Sequence, residues 1–239
     1  MKHKLYRLGK LNEIFLEEDE KCEQYDSEII TLEKRIKEQN QQSLVKISKK
    51  LIGVDSDLLQ SSADFVTSIL FGNKDKDWHR YTSHLHSYIE WLLAHSINTA
   101  IISCIIAKTL GYNDTRLFAV GVGALFHDIG LTLLPKEMLL HSNEPSELES
   151  IIIHNHCELG FSMMKDTSIP NISKRVILEH HERLDGTGYP SKLLENQILQ
   201  ESMIVMIAGE FDTETTTGLN QQGENTEVVI NKMIQQKEY

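Results

Sequence analysis

Five histidines and one aspartate lie on or beside apolar stretches of this sequence, and their chemistry suits a divalent metal ion. They are His95, His127, Asp128, His156, His180 and His181. Imidazole and carboxylate groups together are ligands for iron, manganese, zinc or nickel. Such groups are costly in a protein interior unless something binds them, and a carboxylate such as Asp128 can bridge two metal ions. The set therefore predicts a metal centre.

Each of these residues also has an interpretation without a metal. A lone His95 or His156 on an apolar helix is more often a hydrogen-bonded core residue, and His127 with Asp128 could simply cap a helix end. The double histidine at positions 180 and 181 has no common structural use of this kind. All of them together, in this order, favour the metal interpretation.

A helical bundle is the architecture that could bring these ligands together, because they come from four separate helical segments and bundles build metal sites from facing helices. Apolar residues recur at helical spacing and strand patterns are absent, which predicts an all-α fold with the metal centre in its core. Residues 1–79 are predicted to be a helical N-terminal region of unknown role, and residues 80–239 the metal-binding domain. The N-terminal apolar stripes indicate a helix packed on that domain, with a dimerisation helix as the alternative.

Composition narrows the classes of function. The formal net charge of -11 argues against a broad nucleic-acid footprint, although a metal can still attract a small anionic substrate. The three cysteines are irregularly spaced and predict no disulfide framework. We see no signal peptide, and no apolar run reaches the roughly 18 residues that span a bilayer. We therefore expect a soluble, cytoplasmic protein without membrane or large nucleic-acid partners.

A glycine-rich turn follows the double histidine and runs Asp185-Gly186-Thr187-Gly188-Tyr189-Pro190. It could be no more than a connection between helices. Placed directly after two metal ligands, it could equally hold a substrate against the site. Glycines permit close backbone approach, and Tyr189 offers an aromatic face and a hydroxyl group.

With this turn, the chain from about residue 80 to residue 216 resembles the HD-GYP family, a branch of the HD phosphohydrolase superfamily. The run that contains the GYP residues is far more specific than a His-Asp pair alone. The matching motifs are His95-Ser96, His127-Asp128-Ile129-Gly130, His156 with Glu158-Leu159-Gly160, His180-His181-Glu182-Arg183, Asp185-Gly186, Gly188-Tyr189-Pro190, and Ala208 with Phe211-Asp212.

The resemblance implies an all-helical phosphodiesterase that uses iron or manganese to hydrolyse cyclic di-GMP to pGpG or GMP. A hydroxide held between two metal ions would attack phosphorus, with Asp128 as the bridging catalytic carboxylate. One ion would take His95, His127 and Asp128, and the other Asp128, His156, His180 and His181. The residues expected to border the nucleotide are Arg183, Gly188, Tyr189 and Pro190.

Several positions depart from the family pattern. Gly209 stands where the family has a metal-binding aspartate, and Glu210 beside it is about 100° round a helix. Leu131 replaces a lysine, Trp91 replaces a carboxylate for a third metal ion, and residues 213–222 lack the family's arginines. We therefore expect two metal ions at most. Each lost phosphate-binding cation removes about 1.5–3 kcal/mol, so two would weaken binding by more than about a hundredfold.

These departures leave three hypotheses open. The first is a metal-dependent cyclic di-GMP phosphodiesterase, and the second is a degenerate module that binds a nucleotide or a partner protein with little or no turnover. The third is hydrolysis of another phosphoester, such as a nucleotide monophosphate or a different cyclic dinucleotide. The expected ligand is a cyclic dinucleotide, and the N-terminal helices could mediate homodimer formation or bind a signalling partner.

Overall fold

The computed structural model describes residues 25–51, 53–72, 76–82, 85, 90–140, 146–216 and 223–235. The described residues form helices and connecting turns, and they contain no strand beyond an isolated antiparallel bridge between Asp185 and Leu194. The predicted all-α fold is confirmed. The helices are α1 (Tyr25–Lys50), α2 (Ser56–Gly72), α3 (Glu90–Thr109), α4 (Asp114–Phe126), α5 (Lys136–Leu140), α6 (Glu147–His154), α7 (His156–Met164), α8 (Asn171–Glu179), α9 (Gln200–Thr215) and α10 (Thr226–Gln235).

The chain divides into two units, Met1–Glu38 and Gln39–Tyr239. Residues 1–24 of the predicted N-terminal region lie outside the described part of the chain. The last turns of α1 belong to the larger unit, where Ile47 is buried. The domain boundary at residues 79 and 80 stays a prediction, as do association through the N-terminal helices and a cytoplasmic location.

Helix α3 forms the centre of the larger unit and packs against α2, α4 and α9. It is buried on nearly all sides, and Ile97 and Ile101 are fully enclosed. Each such side chain contributes about 1.5–3 kcal/mol through burial. The sequence was expected to lack an apolar run long enough to span a bilayer, but the segments Glu90–Thr109 and Asp114–Leu133 are long and apolar enough by length and composition alone. In each, 78% of the most apolar stretch is buried inside the fold. Their apolar character is therefore accounted for by the core.

The helices that lead to His127 and His156 begin at local capping signals. Asp114 and Asn113 are both residue types that commonly cap a helix. Asn113 is the cap, since its side chain accepts a hydrogen bond from the Arg116 amide, and Asp114 is the first helical residue. The capping box that Ser146 and Glu149 predict for α6 is present. These caps fix where the helices that end just before His127 and His156 begin.

The HD segment lies tightly against α7. A short 3-10 helix, Ile129–Leu133, follows α4 and packs on α7. A Cβ atom on Gly130 would collide with the carbonyl oxygen of His156 and would lie 2.6 Å from the Gly160 amide nitrogen. Glycine is required here because the two backbones touch, and this contact brings Asp128 and His156 together.

Candidate metal centre

The five predicted histidine ligands converge on the sixth ligand, the carboxylate of Asp128. The ligand atoms of each of two groups lie within 4.8 Å of one another, and Asp128 belongs to both. All are buried except His181, which is exposed to solvent. The first group is His95, His127 and Asp128, and the second is Asp128, His156, His180 and His181.

The two oxygens of Asp128 face different groups. Its Oδ2 lies 3.2 Å from Nε2 of His127 and 3.8 Å from Nε2 of His95. Its Oδ1 lies 3.2 Å from Nε2 of His156 and 3.4 Å from Nε2 of His180. A carboxylate between two sets of imidazoles in this way has the arrangement of a bridging ligand.

Three of the imidazole rings are oriented by the same local contact. Nδ1 of His127 lies 2.7 Å from the carbonyl oxygen of Ala124, and His156 and His180 make the equivalent contacts three residues back, at 2.7 and 2.9 Å. A carbonyl oxygen can only accept, so each Nδ1 carries the proton and donates it. Each Nε2 is then left to face Asp128, which is how histidines are held when they bind a metal.

The donor set fits a divalent metal ion. Nε2 of His156 and Nε2 of His180 are only 3.0 Å apart, close to the roughly 3.3 Å that separates two nitrogens bound to one tetrahedral ion at 2.0–2.1 Å. Nitrogen and carboxylate ligands together suit iron, manganese, zinc or nickel better than magnesium or calcium.

The charges in the cluster depend on one another. Burial would raise the pKa of Asp128, but the charge of His127 and the close polar contacts with the imidazoles of His127, His156 and His180 hold it well below its usual range. Burial lowers the pKa of His180 to about 4. Burial also opposes the charged form of His156, yet its hydrogen bond to Asp128 outweighs this and raises its pKa to about 10. Asp128 is thus an anion that attracts either protons or a metal, and the two compete.

The position of the missing carboxylate lies on α9, opposite α3. A Cβ atom on Gly209 would meet Cγ2 of Thr99 at 3.8 Å, an ordinary contact. Glu210 is exposed and belongs to neither ligand group among the described residues. Leu131 is buried, and the ring of Trp91 stacks on His95 at 5.2 Å with an interplanar angle of 2°. Trp91 therefore packs against a ligand instead of adding one.

Asp212, which lies in the Phe211-Asp212 motif, orients the fourth histidine, His95. Its Oδ2 accepts a hydrogen bond from Nδ1 of His95 at 2.8 Å, and its Oδ1 accepts from Nδ2 of Asn98 at 2.9 Å. Burial would raise the pKa of Asp212, but the hydrogen bond and charge of His95 and the charge of Lys50 lower it. The signal available in the sequence was the Phe211-Asp212 motif, which contains the residue without indicating its contact.

The glycine turn is held by Glu182, which directly follows the double histidine. Its side chain is buried, and its carboxylate accepts hydrogen bonds from the amides of Ser191 at 2.6 Å and Leu193 at 2.8 Å. A Cβ atom on Gly188 would collide with the backbone of Glu182 and Arg183. The turn therefore packs directly on the segment that follows the double histidine.

Tyr189 lies between two histidines at the edge of the centre. Its ring stacks on His181 at 4.8 Å and on His154 at 3.9 Å, with interplanar angles of 20° and 13°. Burial raises the pKa of its hydroxyl, so Tyr189 stays neutral. His154 is exposed and forms the outer ring of this stack. Arg183 and Pro190, which are close to Tyr189 in the sequence, are both half-buried.

Comparison with known proteins places this arrangement in a family. Residues 82–239 match the family model described as "HD domain". The chain belongs to the HD domain family. This match confirms the resemblance noted in the sequence, and curated relatives named as cyclic di-GMP phosphodiesterases agree with it.

Two curated relatives show the range of the family. The chain is 28% identical to a cyclic di-GMP phosphodiesterase of Thermotoga maritima over 149 residues, which are 62% of this chain and 37% of the relative. It is 31% identical to 3'3'-cGAMP-specific phosphodiesterase 1 of Vibrio cholerae over 126 residues, which are 53% of this chain and 29% of that protein. The chain thus spans well under half of the length of these relatives.

Two solved structures share the fold. One is an HDG"Y"P protein from Bdellovibrio bacteriovorus, with a TM-score of 0.54, 18% identity, and coverage of 82% of this chain and 72% of that one. The other is the HD domain of the L. monocytogenes phosphodiesterase PgpH in complex with cyclic di-AMP, with a TM-score of 0.52 and 18% identity. The matched region covers 66% of this chain and 82% of the PgpH chain. These likenesses support the all-helical HD fold.

Proposed function

We propose that this chain is a metal-dependent phosphodiesterase that hydrolyses cyclic di-GMP to pGpG or GMP. The observation that carries the proposal is the carboxylate of Asp128 between two sets of imidazoles whose Nε2 atoms face it. Relatives named as cyclic di-GMP and 3'3'-cGAMP phosphodiesterases support the substrate class.

Two divalent metal ions, iron or manganese, would activate water for attack on phosphorus and neutralise the charge that develops on the phosphoryl group. Asp128 would be shared between the two ions. The remaining ligands would be His95 and His127 for one ion, and His156, His180 and His181 for the other.

The residues of the chain itself would bind and orient the nucleotide. The Tyr189 amide donates a hydrogen bond to the carbonyl oxygen of His181 at 3.0 Å, which holds the turn at Gly188, Tyr189 and Pro190 beside this exposed ligand. A dinucleotide bound at the metal centre would therefore contact the turn. Arg183 would supply a cation for a phosphate oxygen, since charge-assisted bonds of this kind are among the stronger polar contacts. The Tyr189 hydroxyl stays protonated and can donate a hydrogen bond.

The direct test is turnover by the full chain, purified without oxygen and loaded with Fe(II) or Mn(II). We expect cyclic di-GMP to be converted to pGpG or GMP, and the Asp128→Asn variant to lose nearly all activity because it removes the shared anion. Cyclic di-AMP and 3'3'-cGAMP, assayed in parallel, separate cyclic di-GMP hydrolysis from action on another cyclic dinucleotide. Intact cyclic di-GMP after metal loading, while an active HD-GYP enzyme degrades it, would contradict the proposal.

A second candidate function is a degenerate module that binds a nucleotide or protein without turnover. Gly209 and Leu131 favour it, because a metal ligand and a phosphate-binding cation of the family are absent at these positions. Calorimetric binding of cyclic di-GMP by a protein that holds fewer than two metal ions and does not hydrolyse it would support this candidate. A full two-metal complement with turnover would exclude it.

A further inference from the structure

The end of helix α1 reaches the buried carboxylate that orients His95. Lys50, the last residue of α1, lies before the segment that matches the HD domain family, which begins at residue 82. We propose that Lys50 is a positioning residue of the metal centre: it holds Asp212, which in turn holds His95. The inference rests on the metal site proposed above and assigns a role to the helix that precedes the HD domain.

Lys50 contacts Asp212 both directly and through a hydroxyl group. Its Nζ lies 3.7 Å from Oδ1 of Asp212 and donates a hydrogen bond to Oγ1 of Thr216 at 2.5 Å. The Thr216 hydroxyl donates in turn to the same Oδ1 at 2.9 Å. The Lys50 side chain is 15% exposed and that of Asp212 is 2% exposed, so the pair is screened little by solvent.

The contacts of Asp212 are divided between its two oxygens. Oδ1 accepts hydrogen bonds from Asn98 and Thr216 and also faces the charge of Lys50. Among the contacts described above, Oδ2 accepts a hydrogen bond only from the ring of His95. Fixing Oδ1 from three directions fixes the direction in which Oδ2 points. The His95 ring is then held with Nε2 toward Asp128.

Removing the cation would leave Asp212 as a buried charge with weaker compensation, which is strongly unfavourable. The carboxylate would be expected to turn toward water, and His95 would lose its acceptor. The group of His95, His127 and Asp128 offers three ligands among the described residues, with glycine at position 209. A site with so few ligands depends strongly on the orientation of each one, and loss of an outer partner typically lowers metal affinity 10–100-fold.

A purely structural role for Lys50, as a tie between α1 and the bundle, makes a different prediction. It would alter stability without selecting one metal site over the other. The matched control is Lys49→Met, because Lys49 is exposed, adjacent in sequence and equal in charge. Lys50→Arg keeps the cation and should keep the function.

The experiment is anaerobic Mn(II) titration of metal-free full chain, followed by calorimetry and electron paramagnetic resonance. The His95→Ala variant identifies which binding step belongs to the His95 group. We expect Lys50→Met to weaken that step by about tenfold, at the lower end of the range for outer partners, and to leave the other step unchanged. Lys49→Met and Lys50→Arg should bind as the wild type does.

Asp212→Asn provides an independent variant, and the double variant tests the order of the contacts. If Lys50 acts through Asp212, Lys50→Met will add little to the loss that Asp212→Asn already causes. The proposal is overturned if Lys50→Met leaves the His95 step unchanged, weakens both steps equally or matches Lys49→Met, or if the wild type has no His95-dependent step. Because the readout is metal binding, absence of cyclic di-GMP turnover would count against the proposed function and not against this inference.

Discussion

The orientation of His127, His156 and His180 follows from where they stand relative to helix ends. His127 and His180 directly follow the last residues of α4 and α8, and His156 begins α7 just after α6 ends. Carbonyl groups in the last turn of a helix lack amide partners within that helix. Each ring uses one of these carbonyls to hold its Nδ1, so the helix end itself aims the ligand.

Gly209→Asp is predicted to strengthen metal binding at the group of His95, His127 and Asp128, which has fewer ligands than the other group. The Cβ position is open enough, with its nearest contact at 3.8 Å on Thr99, and it lies one turn before Asp212 on the face that meets α3. An added metal ligand should raise the affinity of the His95 step by about tenfold or more, at least the effect of an outer-shell partner. Mn(II) titration measures the change.

The control for that prediction is Gly209→Asn, which has nearly the same shape without the charge. If both substitutions leave the His95 step at the wild-type affinity, the position does not serve the metal. Equal gains from both would assign the effect to packing.

Gly130→Ala is predicted to disrupt the centre through the backbone. The new Cβ would collide with the carbonyl of His156, so α7 would have to move away from the HD segment. Overpacking of this kind costs about 1–3 kcal/mol, and displacement of His156 should also lower metal content. Urea unfolding and elemental analysis measure the two effects.

Gly72→Ala is the matched control, because nothing lies within 4 Å of its Cβ position. It should leave both stability and metal content nearly unchanged. Wild-type stability and metal content in Gly130→Ala would show that the close approach of the two backbones is not required.

The loop after α8 is positioned by a side chain as well as by the isolated bridge between Asp185 and Leu194. Its amides at Ser191 and Leu193 are bound by the carboxylate of Glu182, and Gly188 allows the chain to pack on the residues next to Glu182. The connection between α8 and α9 can thus present Tyr189 beside His181 although Tyr189 itself lies in neither a helix nor a strand.

Glu182→Gln is predicted to loosen this loop. Glutamine offers one acceptor oxygen, and its NH2 group would face an amide that it cannot bind, at a cost of about 1–3 kcal/mol. We expect faster amide exchange in residues 186–193 and a higher KM, with metal binding unchanged. Hydrogen exchange and steady-state kinetics check these outcomes.

Glu195→Gln is the control, since Glu195 is exposed in the same connection. It should behave as the wild type. A Glu182→Gln variant with native exchange rates would mean that the two carboxylate contacts do not hold the loop.

The molecule as a whole concentrates five histidines and buried carboxylates in a bundle of ordinary apolar helices. If this cluster binds metal ions as proposed, the stability of the fold will depend on them. A ligand that binds only the folded chain stabilises it by about 2.7 kcal/mol at a hundredfold excess over Kd. Bound metal ions would also give the acidic chain, with a net charge of -11, local positive charge for the proposed anionic substrate.

Metal removal is therefore predicted to lower the Tm of the protein. Dialysis against EDTA should decrease the Tm, and Mn(II) should restore it, whereas Mg²⁺ at the same concentration should restore little because the donor set is rich in nitrogen. Calorimetric scans measure the shift. An equal Tm with and without Mn(II), or equal recovery with Mg²⁺, would contradict a nitrogen-rich metal site in the folded state.

The fold class and the six candidate ligands could be predicted from the sequence. Helical spacing of apolar residues reports which faces are buried, and histidines and an aspartate at the ends of such segments retain their chemistry whatever the packing. The double histidine with its glycine turn was specific enough to indicate the family. The structure brings all six ligands together, and their roles as ligands remain proposals for the experiments above.

Other contacts of the centre could not be predicted from the sequence, because they join residues that are distant along the chain. Asp212 meets His95 from 117 positions away, and Lys50 meets Thr216 from 166. Asn113 rather than Asp114 caps α4 because the choice depends on backbone direction at the helix start. Residue type and spacing indicate which chemistry a side chain can perform. The partner that a hydrogen bond finds depends on the positions and directions of both groups, and these are set by the packing of the helices.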